Sequence, residues 1–239
     1  MVRFIDVSKE YKSGTLALNN VSFTINDGEM AFLVGPSGSG KSTIIHLING
    51  ETAPTSGKIM VNGYNLTALR RSDIPYMRRT LGVIFQDFRL LEKKNVYDNV
   101  AFAMRVIGAS RRHIAERVPY ALELVGLRDC ALRMPDELSG GEQQRVAIAR
   151  ALVNNPAVIL ADEATGNLDT RTSYEILVLF QELHHQGRTI IFVTHNPEIA
   201  QYSSRNIILR DGHICEDVIN NNIMNAAEVL ASLPKPEDE

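Results

Sequence analysis

Eight consecutive residues, Gly35-Pro36-Ser37-Gly38-Ser39-Gly40-Lys41-Ser42, restrict this chain more than any other stretch. They stand between the apolar run Met30-Ala31-Phe32-Leu33-Val34, which reads as a buried strand, and Ser42-Thr43-Ile44-Ile45-His46-Leu47-Ile48, an apolar helix pattern. Strand, glycine-rich turn and helix in that order are the context that confirms a phosphate-binding loop. Glycines permit positive φ and bring backbone N–H groups close to phosphate oxygens, while the helix aims its positive end at the same anion. In such a loop Lys41 supplies a mobile charge for the β- and γ-phosphates, and the Ser42 hydroxyl is a ligand for Mg²⁺. Gly35, Pro36, Ser37, Gly38, Ser39, Gly40, Lys41, Ser42 and Thr43 are therefore the candidate phosphate contacts.

A phosphate loop needs a carboxylate for its metal. Val158-Ile159-Leu160-Ala161-Asp162 offers one at the end of a second apolar run, where Asp162 can reach Mg²⁺ directly or through water. Glu163 follows at once, placed to polarise a water for attack on the γ-phosphate, the general-base role. An Asp-Glu pair after a strand often only faces solvent. The phosphate loop turns this one into a candidate metal and catalytic pair.

Buried strands are expected at 83–85, 158–161 and 189–193 beside the run 30–34, with helices at 96–104, 112–125, 142–152 and 173–184. Such alternation gives an α/β fold around a parallel sheet. Residues 2–27 alternate apolar and polar side chains around Gly14 and Asn19-Asn20, the pattern of antiparallel strands. Residues 87–152 form an inserted helical subdomain. The domain is expected over 1–217, and 218–239 as a short tail with a helix near 225–230 and a frayed end from Pro234 to Glu239.

A net charge of -3 gives no general basic footprint, so no nucleic-acid partner is expected. The pairs Arg70-Arg71, Arg78-Arg79 and Arg111-Arg112 read as solvated helix faces. Cys130 and Cys215, the 2 cysteines, lack metal or redox spacing and fit a reducing compartment. The first residues read as a strand rather than a leader, and no apolar run reaches the roughly 18 residues that span a bilayer. Membrane work then falls to a separate partner.

Leu138-Ser139-Gly140-Gly141-Glu142-Gln143-Gln144-Arg145 resembles the signature motif of ABC ATPases and sets this chain apart from kinases, GTPases and helicases that share the phosphate loop. Further motifs follow in the family order. Gln86 matches the Q-loop glutamine, Gly166-Asn167-Leu168-Asp169 the D-loop, His195 the switch histidine, and Tyr11 the aromatic that stacks on adenine. Alone, Gln86, His195 and Tyr11 would read as structural residues; their order relative to Lys41 and Asp162 carries the functional reading. The resemblance covers residues 1–215.

It implies the ABC ATPase nucleotide-binding fold, a P-loop NTPase with an N-terminal antiparallel β subdomain, and hydrolysis of ATP with Mg²⁺. Glu163, His195, Gln86 and Lys41 take the catalytic roles; Ser42, Gln86 and Asp162 hold the metal. It also implies an ATP-dependent, head-to-tail homodimer. Ser139, Gly140 and Gly141 would open a helix onto the γ-phosphate held by the other subunit, and Asp169 would join that site. One phosphate loop and one signature motif per chain complete two sites only in such a pair. Ala164 departs from the proline usual in the family but leaves Asp162 and Glu163 in place.

Ile74-Pro75-Tyr76-Met77-Arg78-Arg79, the stretch 81–91, Val96-Tyr97-Asp98-Asn99-Val100-Ala101-Phe102, Val106-Ile107-Gly108 and Val153-Asn154-Asn155-Pro156 resemble the family's cell-division branch. Members of that branch act on an FtsX-like membrane protein to control cell-wall hydrolases. Thr170-Arg171-Thr172-Ser173, the stretch 194–200 and Leu209-Arg210-Asp211-Gly212 also resemble MacB- and LolD-type ATPases, which serve export through a MacB-like permease. Both imply a peripheral place on the cytoplasmic face of the cell membrane. Family members that act on ribosomes or DNA carry paired cassettes or a long coiled-coil insertion, and neither is present here.

Overall fold

The computed structural model describes residues 1–234. Its strands in chain order are β1 (Val2–Glu10), β2 (Leu16–Ile25), β3 (Met30–Val34), β4 (Ser56–Val61), β5 (Tyr64–Asn65), β6 (Leu81–Ile84), β7 (Val158–Asp162), β8 (Thr189–Thr194), β9 (Arg205–Arg210) and β10 (His213–Ile219). The helices are α1 (Lys41–Ile48), α2 (Ile74–Arg78), α3 (Val96–Val106), α4 (Arg111–Leu124), α5 (Gly140–Leu152), α6 (Thr170–His185) and α7 (Ala226–Ser232). The fold is the α/β architecture read from the sequence, with two sheets. An antiparallel one has the order β2-β1-β4-β5, and a larger one β10-β9-β3-β8-β7-β6. All strands of the larger sheet run parallel except β10, which pairs antiparallel with β9.

The central strands are apolar without interruption because both of their faces are buried. Side chains alternate between two cores. Met30, Phe32, Ile159, Ala161, Ile190 and Phe192 face the helices α3, α5 and α6, where Phe32 stacks on Phe192 at 4.8 Å and Phe180 meets Phe192 edge-on at 5.3 Å. Ala31, Leu33, Val158, Leu160, Ile191 and Val193 face α1 and the antiparallel sheet. The helices α3, α4 and α5 form the inserted lobe, packed through Val100, Met104, Val118, Leu122, Val146 and Leu152.

Several boundaries depart from expectation. Helix α5 begins at Gly140 rather than 142, and α6 at Thr170 rather than 173, because Ser139 and Asp169 cap them one residue upstream. Strand β6 ends at Ile84, leaving Phe85 outside. The hairpin β9–β10 has no counterpart among the expected elements, and it runs through the boundary expected at 217. Arg205 fastens it, donating to both carboxylate oxygens of Asp217 at 2.6 and 2.7 Å and to Glu29 at 2.8 Å. The helix expected near 225–230 is α7, and the segment that carries it is docked. Gln181 on α6 accepts from the Ala226 amide at 2.9 Å and donates to the Met224 carbonyl at 2.8 Å, and Arg171 donates to the Pro234 carbonyl at 3.0 Å. The stretch 235–239, expected to fray, lies outside the described residues.

Candidate functional site

Strand β8 lies between β3 and β7, and all three run the same way with Val34 opposite Thr194 and Asp162 opposite Val193. Their carboxyl ends therefore meet at one edge of the sheet, the place where open α/β sheets bind ligands. The phosphate loop leaves β3, Asp162 and Glu163 close β7, and His195 follows β8. Strand β6, beside β7, ends two residues before Gln86 at the same edge. Topology alone gathers side chains from four separate stretches of sequence.

Between β3 and α1 the loop is tight. Gly40 has φ +108°, and a Cβ there would come within 2.7 Å of the Ala17 carbonyl oxygen; at Gly35 a Cβ would lie 2.2 Å from that of Leu209. Backbone thus lines the loop so closely that side chains are excluded from these positions. The Lys41 ammonium is buried and donates to the Gly35 and Pro36 carbonyls at 2.7 and 2.9 Å, which leaves one of its three protons for an anion. Burial lowers its pKa, against the opposing pull of Glu163 and Asp162. Those two carboxylates therefore stand close enough to Lys41 for charge to be felt.

The residues fit a phosphate and a divalent cation. Among the described residues the buried Ser39 Oγ has no hydrogen-bond partner, an orphan hydroxyl within the loop. Burial and the neighbouring Glu163 hold the Asp162 carboxyl above its ordinary range, outweighing His46, Lys41 and Arg89. A carboxylate so short of positive charge suits a cation. No cluster of three or more His, Cys, Asp or Glu suited to a metal occurs among the described residues.

Glu163 sits at φ +48°, with its amide donating to the Val193 carbonyl at 3.1 Å. His195 Nδ1 lies 3.1 Å from Glu163 Oε1. Gln86 and Asn167 clasp each other: Gln86 Nε2 donates to Asn167 Oδ1 at 3.1 Å, and Asn167 Nδ2 to the Gln86 carbonyl at 3.0 Å. Gln86 Oε1 is the atom left for a cation. Beside Glu163 and His195 a cleft of about 280 Å³ reaches Thr165, Gly166 and Ser173. Tyr11 follows β1, its hydroxyl 3.3 Å from Thr43 Oγ1 and its ring under the Lys9 ammonium at 5.1 Å.

Ser139 and Gly140 stand apart from this edge. Both are exposed, and among the described residues neither hydrogen-bonds to the phosphate loop. Ser139 caps α5 in a reciprocal box: its amide donates to Glu142 Oε2 at 2.8 Å, and its Oγ accepts from the Glu142 amide at 3.3 Å. A Cβ at Gly141 would fall 2.4 Å from Thr172 Cγ2, so this glycine lets α5 pack on the first turn of α6. Asp169 caps that turn, accepting from the Thr172 amide at 2.9 Å. Hydrogen bonds from Thr172 lower its pKa. The α5 N-terminus is thus a preformed, outward-facing end of a 13-residue helix.

Two side chains that the sequence does not single out hold this arrangement. Arg150 donates to the Phe88 carbonyl at 2.7 Å and to that of Arg89, fixing two consecutive residues at φ +53° and +50°. Gln144 Nε2 donates to the Ala164 carbonyl at 2.7 Å. The only signal for them in the sequence is a place within or just after the signature motif.

The sequence profile of the ABC transporter family matches residues 18–166. The cell division ATP-binding protein FtsE of Streptococcus pneumoniae D39 is 48% identical over 218 residues, 91% of this chain and 95% of that protein. FtsE of Escherichia coli K12 is 51% identical over 215 residues, covering 90% and 97% respectively. A dimeric post-hydrolysis structure of the ATP-binding cassette MJ0796, bound to ADP and Pi, superposes with a TM-score of 0.83. That cassette is 36% identical, and the match covers 92% of this chain and 99% of that one.

Proposed function

The chain belongs to the ABC transporter family of ATP-binding proteins, and from that premise we propose that it hydrolyses ATP as half of a head-to-tail homodimer acting on an FtsX-like membrane protein. The observation that carries the chemistry is the meeting of Lys41, Asp162, Glu163 and His195 at one sheet edge. Lys41 meets the β- and γ-phosphates, with the amides of Gly35 and of Ser37 to Thr43 and the Ser39 hydroxyl around them. Ser42, Asp162 and Gln86 would hold Mg²⁺. When bound, the ion neutralises charge that develops on the phosphates.

Glu163 takes the proton of the attacking water, and His195 holds its carboxylate in orientation. Tyr11 stacks on adenine. Ser139, Gly140 and Gly141 present the α5 N-terminus to the γ-phosphate of the partner subunit, with Asp169 alongside. ATP then acts as the joint between subunits, and its hydrolysis releases them, a population shift set by nucleotide affinity for the closed pair.

Relatives 48–51% identical over nearly their whole length support the cell-division partner. The export-type alternative rests on short stretches of the second half alone. No helix among the described residues is long and apolar enough to cross a membrane, so attachment to the cytoplasmic face runs through that partner. The cassette spans residues 1–219 through β10, and the docked segment carrying α7 is its appendage.

The test is Glu163→Gln, which keeps the shape and loses the base. ATP should still bind, turnover should fall about 10²- to 10⁴-fold, and an ATP-dependent dimer should accumulate on size exclusion. Wild-type turnover in this variant removes Glu163 from the mechanism.

A further inference from the structure

Glu163 holds a conformation that residues other than glycine rarely adopt, with φ at +48°. Such strain persists only where the surroundings fix it. Two of the bonds around this turn are local to the sheet edge: the Glu163 amide donates to the Val193 carbonyl at 3.1 Å, and the Gly166 amide to the Glu163 carbonyl at 2.9 Å. Two side chains reach its carbonyls from helices: Ser173 on α6 donates to the Thr165 carbonyl at 3.4 Å, and a shorter bond comes from α5. Gln144, wholly buried in the second turn of α5, donates from Nε2 to the Ala164 carbonyl at 2.7 Å.

The amide cannot be turned over, because its oxygen would then face a carbonyl oxygen. Its Oε1 is buried and, among the described residues, without a partner. A buried amide with half of its bonding capacity idle costs free energy, and an apolar side chain of similar volume would fill the same space without that cost. Packing alone therefore gives no reason for glutamine here. The hydrogen bond to Ala164 does.

We propose that Gln144 is a positioning residue for hydrolysis. By holding the Ala164 carbonyl it sets the turn and aims the Glu163 carboxylate at water. It stands on the helix that Ser139 caps, so it also ties the catalytic turn of one subunit to the signature motif the same subunit offers its partner. This rests on the reading of Glu163 as the base.

Gln144→Met separates positioning from folding, since methionine suits a helix and has nearly the same volume but donates no hydrogen bond. With Mg-ATP, kcat should fall about 10- to 100-fold, the cost of a misplaced catalytic group. KM, ATP-dependent dimerisation and the thermal midpoint should stay near wild type. In a Glu163→Gln background the same change should add no further loss of single-turnover rate, because there is no base left to aim.

An unchanged kcat overturns the proposal, as does a loss of equal size in the Glu163→Gln background or one that tracks a fall in thermal midpoint. If Glu163→Gln itself turns over like wild type, the base assignment fails and this inference falls with it. If Glu163→Gln is inactive while Gln144→Met is normal, only the inference fails. Gln144→Ala, which removes atoms and adds none, carries the same comparison if the methionine variant does not fold.

Discussion

At the scale of single residues, Lys41 and Gly40 show how little freedom the phosphate loop leaves. The Lys41 ammonium is buried against two loop carbonyls, and its remaining proton is the one that can meet a phosphate. Lys41→Ala removes that charge-assisted bond, worth about 1.5 to 3 kcal/mol. ATP affinity by titration should fall roughly 10- to 150-fold while circular dichroism keeps the wild-type fold. Unchanged affinity in a folded variant would sink the assignment of the loop. The loop residues are legible in the sequence itself, because glycine and lysine at fixed spacing have few other uses. Gln144 and Arg150 are not. Nothing in the sequence marks this glutamine as buried or this arginine as half-buried, and only the packing of α5 shows which carbonyls they hold.

Individual elements are legible where apolar period and chemistry agree. The uninterrupted runs that form β3, β7 and β8 leave no other reading, since both faces of each strand are covered. Helix starts are misplaced where glycine hides them: Gly140 and Gly141 are poor helix formers, and a capping serine with its glutamate is the signal to weigh instead. The hairpin β9–β10 turns at Asp211-Gly212, both with positive φ, the Asp-Gly pair typical of a two-residue hairpin turn. That cue is present in sequence, but β10 is largely exposed and its outer face carries no apolar period.

The outward-facing end of α5 supports a prediction of its own. Ser139→Arg should bind ATP in its own loop yet fail to dimerise, because a bulky cation replaces the small hydroxyl where a partner's phosphate must approach the helix end. Mixed with Lys41→Ala, it can form a pair with one intact composite site. ATP-dependent association by light scattering should then return in part, though neither variant manages it alone. Wild-type turnover by Ser139→Arg would show that the motif completes no shared site.

Across the whole molecule, α2, β6 and the helical lobe border a groove of about 560 Å³ lined by Arg79, Phe85, Arg89, Phe102, Val106 and Arg150. Phe102 and Val106 are 46% and 65% exposed there, an apolar rim on a lobe that continues directly into the Q-loop. If the membrane partner seats in this groove, Val106→Asp should weaken co-purification with an FtsX-type protein by roughly 30-fold, as for a truncated interface anchor. Basal ATPase activity should stay at the wild-type rate. Undiminished co-purification would move the docking face elsewhere.

The alternation of side chains along β7 has a consequence for how accurately this machine is built. Leu160 answers to one core and Ala161 to the other. A slip of one position would exchange every residue between them, exposing mismatched volumes on both sides at once. Register is therefore indexed twice, as a key cut on both edges is read by two sets of pins. Asp162 and Glu163 inherit that indexing. Their height above the sheet is set by apolar packing along β7, and the two carboxylates need no contact with a ligand to be in place before it arrives.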